Sequence, residues 1–294
     1  MAAATARSWL RAAGRLAVVV CLTCIAATAL LLVLERRLIY YPTRAPLSMW
    51  QPADLGVEEC TFRTRDGLTL HGWWHPGRGA AAAARPVLLW CHGNAGNITD
   101  RRENLRMLAE AGLAALIFDY RGYGKSEGTP SEAGLYADVE AACDYLTKER
   151  GIPPGRIVVF GRSLGAAVAL HKALHRDVAG LVMESAFESA PAMARLRLPF
   201  PPAWLFMRTR FDNRARVADL AVPLLVMHGD RDTLIPISQG RAVFEAAPEP
   251  KQFHVIRGAG HNDTYLAGGR EYFGVLARFC RDCVGVPSGG RPDG

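Results

Sequence analysis

The sequence predicts an α/β fold: a mostly parallel central sheet with helices on both faces. Two observations predict it. From Pro86 onward, short apolar runs ("PVLLW", "AALIFD", "RIVVF", "AGLVME", "VPLLVMH", "QFHVI") alternate with helix-length segments at 100–112, 131–149, 164–175, 237–247 and 264–280. The runs are continuously apolar, as strands buried on both faces must be, instead of alternating in polarity. A chain of 294 residues, 50% hydrophobic and 21% charged, is long enough for one large domain of this kind and too apolar for a disordered chain. Such sheets carry their chemistry at the carboxyl ends of the strands.

The elements justify themselves in chain order. Leu16 to Leu34 holds no charge, with Arg7, Arg11 and Arg15 before it and Glu35, Arg36 and Arg37 after it. As a helix it would reach about 28 Å, close to one hydrocarbon thickness. A buried core helix is seldom apolar all round. A cleaved signal has a shorter apolar region, and here the only small-residue site, "AATA", lies inside the run. Residues 16–34 are therefore expected to be an uncleaved single-pass transmembrane anchor behind a basic segment, 1–15. Arginines flank both ends in near balance; the amino terminus tips the N-terminal side towards the cytoplasm and leaves the face of the main domain open.

Residues 35–58 read as a Pro-containing linker, and 59–283 as the main domain. Its first two β-like runs, "CTFRT" and "LTLHGWWH", are separated by Asp66-Gly67, a turn pair. Residues 76–85 form a low-complexity loop, and 284–294 are expected to be a disordered tail. The rhythm breaks at about 186–220, where Pro199, Pro201 and Pro202 interrupt an apolar, Arg-containing stretch. That stretch is either a packed helical excursion or a lid insertion over a site.

The formal charge of +7 and pI near 9.2 suit anionic headgroups or acidic substrates. No basic run interleaved with aromatics and no zinc-ligand spacing appears, so neither nucleic acid nor a metal is expected. Of the seven cysteines, Cys60, Cys91 and Cys143 lie in or beside apolar runs, and Cys280-x-x-Cys283 lacks a redox context. No disulfide framework is expected.

"VVFGRSLGAAVAL", residues 158–170, places one serine between two glycines where an apolar strand becomes a small-residue helix. A core strand needs no serine at such a bend; a nucleophile does. The tight strand-to-helix turn exposes the Ser163 hydroxyl at a helix N-terminus, where backbone N–H groups favour developing negative charge. A serine needs a base, and eight histidines are available. His71 and His75 belong to the early hairpin, His171 and His175 to a helix, and His254 to a strand. His228 precedes Gly229 at a strand end, and His92 supports the "HGNAGN" loop. His261, in the glycine-rich "IRGAGHND" loop after the last strand, is left as the base. Asp232 is favoured to orient it, with Asp230 as a loop or surface residue. The Leu164 backbone N–H, and that of Asn94 after "PVLLWCHG", are the expected oxyanion donors.

Together and in order, "HGNAGN", "FDYRGYGKSEG", "GRSLG", "HGDRDTLIP" and "GHNDT" resemble the membrane-anchored α/β-hydrolases typified by alpha/beta-hydrolase domain-containing protein 13 and its bud-emergence-related relatives. The resemblance implies the α/β-hydrolase fold and a serine hydrolase, with the triad on Ser163, Asp232 and His261. The expected activity is ester or thioester cleavage on lipid or acylated substrates through an acyl-enzyme, without a cofactor, with membrane lipid as a partner. A serine aminopeptidase and a non-catalytic scaffold on the same fold are the alternatives. The sequons at Asn97 and Asn262 matter only in a secretory compartment; Asn97 reads as a loop or helix-start residue, and Asn262 is left open.

Overall fold

The computed structural model describes residues 2–46, 50, 55–77, 85–175 and 177–285, with side chains from residue 9 onward. Most of the low-complexity loop, part of the expected linker and most of the expected tail lie outside the described residues. The strands are β1 (Tyr41–Pro42), β2 (Glu58–Arg63), β3 (Thr69–His75), β4 (Val87–Cys91), β5 (Ala95–Gly96), β6 (Ala114–Phe118), β7 (Ile157–Arg162), β8 (Gly180–Glu184), β9 (Leu224–Gly229) and β10 (Lys251–Ile256). Eight of them form one sheet in the order β10-β9-β8-β7-β4-β6-β3-β2. The pairings from β10 to β6 are parallel, and β3 runs antiparallel to both β6 and β2.

The helices are α1 (Ala2–Ile39), α2 (Arg102–Glu110), α3 (Glu132–Asp144), α4 (Leu164–Ala173), α5 (Ala190–Arg197), α6 (Asn213–Arg216), α7 (Ile237–Ala246) and α8 (Thr264–Cys283). Because side chains alternate along a strand, each central strand feeds two cores. Val87, Leu89 and Cys91 of β4 join Ile157 and Val159 of β7 beneath α3, α4 and α7. Leu88 and Trp90 join Val158 and Phe160 on the other face, beneath α2 and α8. After β4 the chain passes to β6 on one side and then returns to β7 on the other. The loops after β4 and β7 therefore meet at the carboxyl edge, at a topological switch point.

Two boundaries differ from the sequence expectation. The helix does not stop at Leu34 but continues to Ile39. Residues 35–46, read as the start of a linker, are bound to the domain. The Glu35 carboxylate accepts the N–H groups of Arg208 (3.1 Å) and Thr209 (2.7 Å), and Arg36 donates to the Pro130 carbonyl (2.8 Å). β1 pairs in parallel with β5, and Asn97 donates to the carbonyls of Thr43 (3.0 Å) and Ala45 (2.8 Å). Backbone polar groups near a sheet edge must find partners, and composition alone does not say which side chains will supply them.

The 186–220 excursion holds α5, a single turn at Ala203–Leu205, and α6. It is laced into the domain: the Ala190 N–H donates to the Arg210 carbonyl, and Asn213 donates to that of Phe187. It is a packed helical run and is not delimited as a separate cap. Within Trp9–Ile39, 31 residues, α1 is long and apolar enough to cross a membrane, and none of its most apolar window is buried.

Candidate active site

β7 is buried along its whole length and ends in Arg162, and α4 begins at Leu164. Ser163 makes the turn between them at φ 54°, ψ −119°, a positive-φ conformation that a non-glycine residue holds only under constraint. Its N–H donates to the Glu184 carbonyl of β8 at 2.9 Å, which fixes the bend. The flanking glycines serve close approach. A Cβ on Gly161 would stand 2.1 Å from the Gly165 carbonyl oxygen, and one on Gly165 would stand 2.0 Å from that of Cys91. These obstacles are backbone and cannot swing aside. Gly165→Ala is expected to cost about 1–3 kcal/mol, measured by denaturant unfolding, and to displace Ser163. An unchanged midpoint would contradict this packing.

The expected carboxylate and imidazole lie in the loops after β9 and β10. Asp232 is buried; its Oδ1 accepts the N–H groups of Leu234 (2.9 Å) and Ile235 (2.8 Å), an Asx turn. Its Oδ2 lies 2.7 Å from His261 Nδ1. Burial alone would push the Asp232 carboxyl up. The hydrogen bonds from His261 and the Ile235 amide outweigh burial and hold it below the ordinary carboxylate value. Asp230 accepts the Gly258 N–H at 2.7 Å, and the Arg231 N–H donates to Ala259 at 2.9 Å. Asp230, read as a loop or surface residue, is an exposed loop residue that also clasps the two loops together.

Ser163, Leu164 and Asn94 line one cavity of about 610 Å³. As the first residue of α4, Leu164 carries an N–H with no partner inside the helix. The Asn94 side chain is committed elsewhere: it donates to the Ile39 carbonyl, and its Oδ1 accepts from the Tyr41 N–H (3.2 Å) and the Tyr123 hydroxyl (2.9 Å). The side chain is therefore not available to a reacting atom. The structure therefore brings the five expected residues into two groups, one around the cavity and one joining Asp232 to His261.

Comparison with known proteins gives the family. The family model described as serine aminopeptidase, S33, matches residues 82–215. An uncharacterized protein of Mycobacterium tuberculosis is 37% identical over 245 residues, covering 83% of this chain and 86% of that one. Alpha/beta hydrolase domain-containing protein WAV2 of Arabidopsis thaliana is 32% identical over 279 residues, covering 87% and 90%. The chain belongs to the α/β-hydrolase superfamily. Protein bem46 of Schizosaccharomyces pombe is 33% identical over 233 residues, with 77% of each chain covered. Among solved structures, that of the Pyrococcus furiosus esterase Pf2001 is similar in fold, with TM-score 0.67 and 24% identity over 83% of this hydrolase and 99% of that chain.

The hydrolase carries a polar network behind Ser163 that the sequence reading did not anticipate. The Arg162 guanidinium donates to the His261 carbonyl and, at 3.1 Å, to Asn262 Oδ1. Its Nε lies 3.3 Å from Glu184 Oε1. Glu184 in turn accepts from Thr264 and Tyr272, each at 2.5 Å. The residue preceding Ser163 thus holds the backbone of His261, and the signal was an arginine inside a buried strand end. Arg162→Met is expected to lower kcat by roughly 100-fold through a misplaced imidazole, with Arg162→Lys recovering part of the loss. Equal loss in both variants would leave no positioning role.

His92 supports its loop, as expected: its Nδ1 lies 2.7 Å from the Gly93 carbonyl, and its ring packs against Tyr120 and Tyr123. Burial, only partly opposed by Asp119, pushes its pKa down to about 4, and burial beside Arg216 pushes His171 down to about 4. In the unfolded chain both take a proton near pH 6.5, so between about 6.5 and 4 the unfolded state binds more protons and folding loses stability as pH falls. Tm is expected to fall steadily across that window; a flat profile would contradict imidazoles held neutral in the folded state. Asn97 caps the turn at Ile98–Arg101 and is fully buried, whereas Asn262 is exposed. Among the described residues one metal-capable trio, Glu140, His171 and His175, converges. Lys172 occupies Glu140 (2.7 Å), and Arg216 lies 2.9 Å from His171 Nδ1.

Proposed function

We propose that this protein is a membrane-anchored serine hydrolase that cleaves ester or thioester bonds through an acyl-enzyme. Ser163 Oγ attacks the substrate carbonyl while His261 Nε2 takes its proton, and Asp232 holds the imidazole in the required tautomer. The Leu164 and Asn94 N–H groups receive the oxyanion; losing one such donor costs about 3 kcal/mol of transition-state stabilisation. The C–O or C–S bond then breaks as His261 returns the proton to the leaving group. Water, deprotonated by the same nitrogen, releases the acid and frees Ser163. α1 is the anchor, and the grouping with the anchored bud-emergence-related hydrolases belongs to this reading.

The observations that support the proposal are the Asp232–His261 hydrogen bond, the bond from Arg162 to the His261 carbonyl, and a strained Ser163, next after Arg162, that lines an apolar cavity. The cavity also favours acyl groups over aminoacyl ones. An aminopeptidase site must grip a substrate ammonium, and the one carboxylate among the described residues of this lining, Glu35, is occupied by the amides of Arg208 and Thr209. The esterase described for Pyrococcus furiosus supports the same direction, and the family model's description supports the peptidase alternative. Turnover of aryl esters and acyl thioesters against aminoacyl amides decides between them. A preference for esters is expected, and a preference for the amides would overturn the substrate class.

A further inference from the structure

The wall of the Ser163 cavity is built partly from α1. Leu31, Leu32, Glu35, Leu38 and Ile39 line the same cavity as Ser163. Leu31 and Leu32 lie in the last turn of the charge-free stretch that ends at Leu34. Ile39, whose carbonyl receives the Asn94 side chain, is eight residues beyond Leu31. At 1.5 Å per residue, the edge of the apolar stretch and the level of the Asn94 loop are about 12 Å apart along the helix. A long acyl chain is long enough to cover that distance.

A second observation sits beside the same turn. Leu196 (50%), Leu198 (50%), Phe200 (69%), Leu205 (57%) and Phe206 (63%) of the excursion are exposed. The Ala203–Leu205 turn packs on α1, and Phe206 shares a groove with Leu32 and Val33. Phe206 therefore stands at the level of the last apolar turn of α1. An apolar group of this size facing water would be costly, and adjoining a span it has an evident cover. The arginines among it suit an interface: the Arg195 guanidinium lies 5.5 Å over the Trp204 ring, an apolar stem with a polar end.

We infer that the mouth of the Ser163 cavity is seated in the bilayer leaflet that holds the C-terminal end of α1. A long-chain acyl ester then reaches Ser163 sideways from the leaflet, between α1 and the 196–206 knuckle. This rests on the reading of Ser163 as the nucleophile. The substrate class is accordingly a bilayer-resident ester or thioester, and α1 is part of the substrate path as well as a tether.

The test uses the full chain reconstituted in phosphatidylcholine vesicles, with 4-methylumbelliferyl butyrate as the soluble ester and the palmitate as the bilayer-resident one. The double variant Phe200→Ser/Phe206→Ser alters exposed side chains outside the cavity. Its kcat/KM for the palmitate is expected to fall at least tenfold, with butyrate turnover and fluorophosphonate labelling unchanged. Undiminished palmitate turnover overturns the proposal, and so does an equal loss on both esters. Should that variant fail to fold, Leu32→Trp narrows the path, and the palmitate-to-butyrate ratio must drop; a constant ratio is equally contrary. Wild-type protein that takes no label removes the nucleophile reading itself, a result distinct from either.

Discussion

Ser163→Ala is expected to lower kcat/KM by roughly 10⁴- to 10⁶-fold on any substrate the enzyme turns over. The variant retains the bend, because Ser163 ties the turn through its N–H to the Glu184 carbonyl, a bond that alanine also makes. Its stability should change by about 0.5 kcal/mol or less, as for substitutions that break no packing or network. Loss of activity without loss of fold is the signature of a nucleophile. Parallel losses would instead indicate a structural residue, and full activity would remove Ser163 from the chemistry.

The second large effect is expected at Asp232. Asp232→Asn is nearly isosteric, and the carboxamide oxygen can still accept the Leu234 and Ile235 amides. What changes is the atom facing His261. An NH₂ group there donates to Nδ1, so the imidazole carries its proton on Nε2 and cannot accept one from serine. A fall of about 10⁴-fold in kcat is expected, with little change in KM. The stability effect has a definite pH sign. The folded Asp232 carboxyl is held below its ordinary value, chiefly by His261 and the Ile235 amide acting against burial. That contribution is fully present above the unfolded carboxylate value and is lost as pH falls through the lowered folded one. The stability gap between wild type and Asp232→Asn should therefore narrow in acid. A gap that widens towards low pH would contradict an ionised Asp232.

The sheet was legible in the sequence because strands buried on both faces must be continuously apolar, and the runs from "PVLLW" to "QFHVI" meet that requirement. The Ser163 turn was legible for a related reason: Gly161 and Gly165 sit where the backbones of β7, α4 and β4 approach too closely for any Cβ. The loop positions of His261 and Asp232 at the carboxyl edge were legible too, and the two side chains lie 2.7 Å apart. Long-range polar partnerships were not legible. Glu35 looked like a charge flanking an apolar run, and its partnership with Arg208 and Thr209 lies 173 and 174 residues away. The link from Arg162 to the His261 loop is of the same kind, set by topology after the strands are ordered. Asp232 was favoured over Asp230 in the sequence; what the sequence did not show is that Asp230 accepts the Gly258 N–H of the neighbouring loop.

Fluorophosphonate labelling of the full chain in detergent is the direct test of an activated serine at position 163. Wild type should label covalently and stoichiometrically, at a rate cut sharply in Asp232→Asn, and Ser163→Ala should not label at all. Folded wild type that resists the probe, or a Ser163→Ala variant that still reacts, would contradict the account.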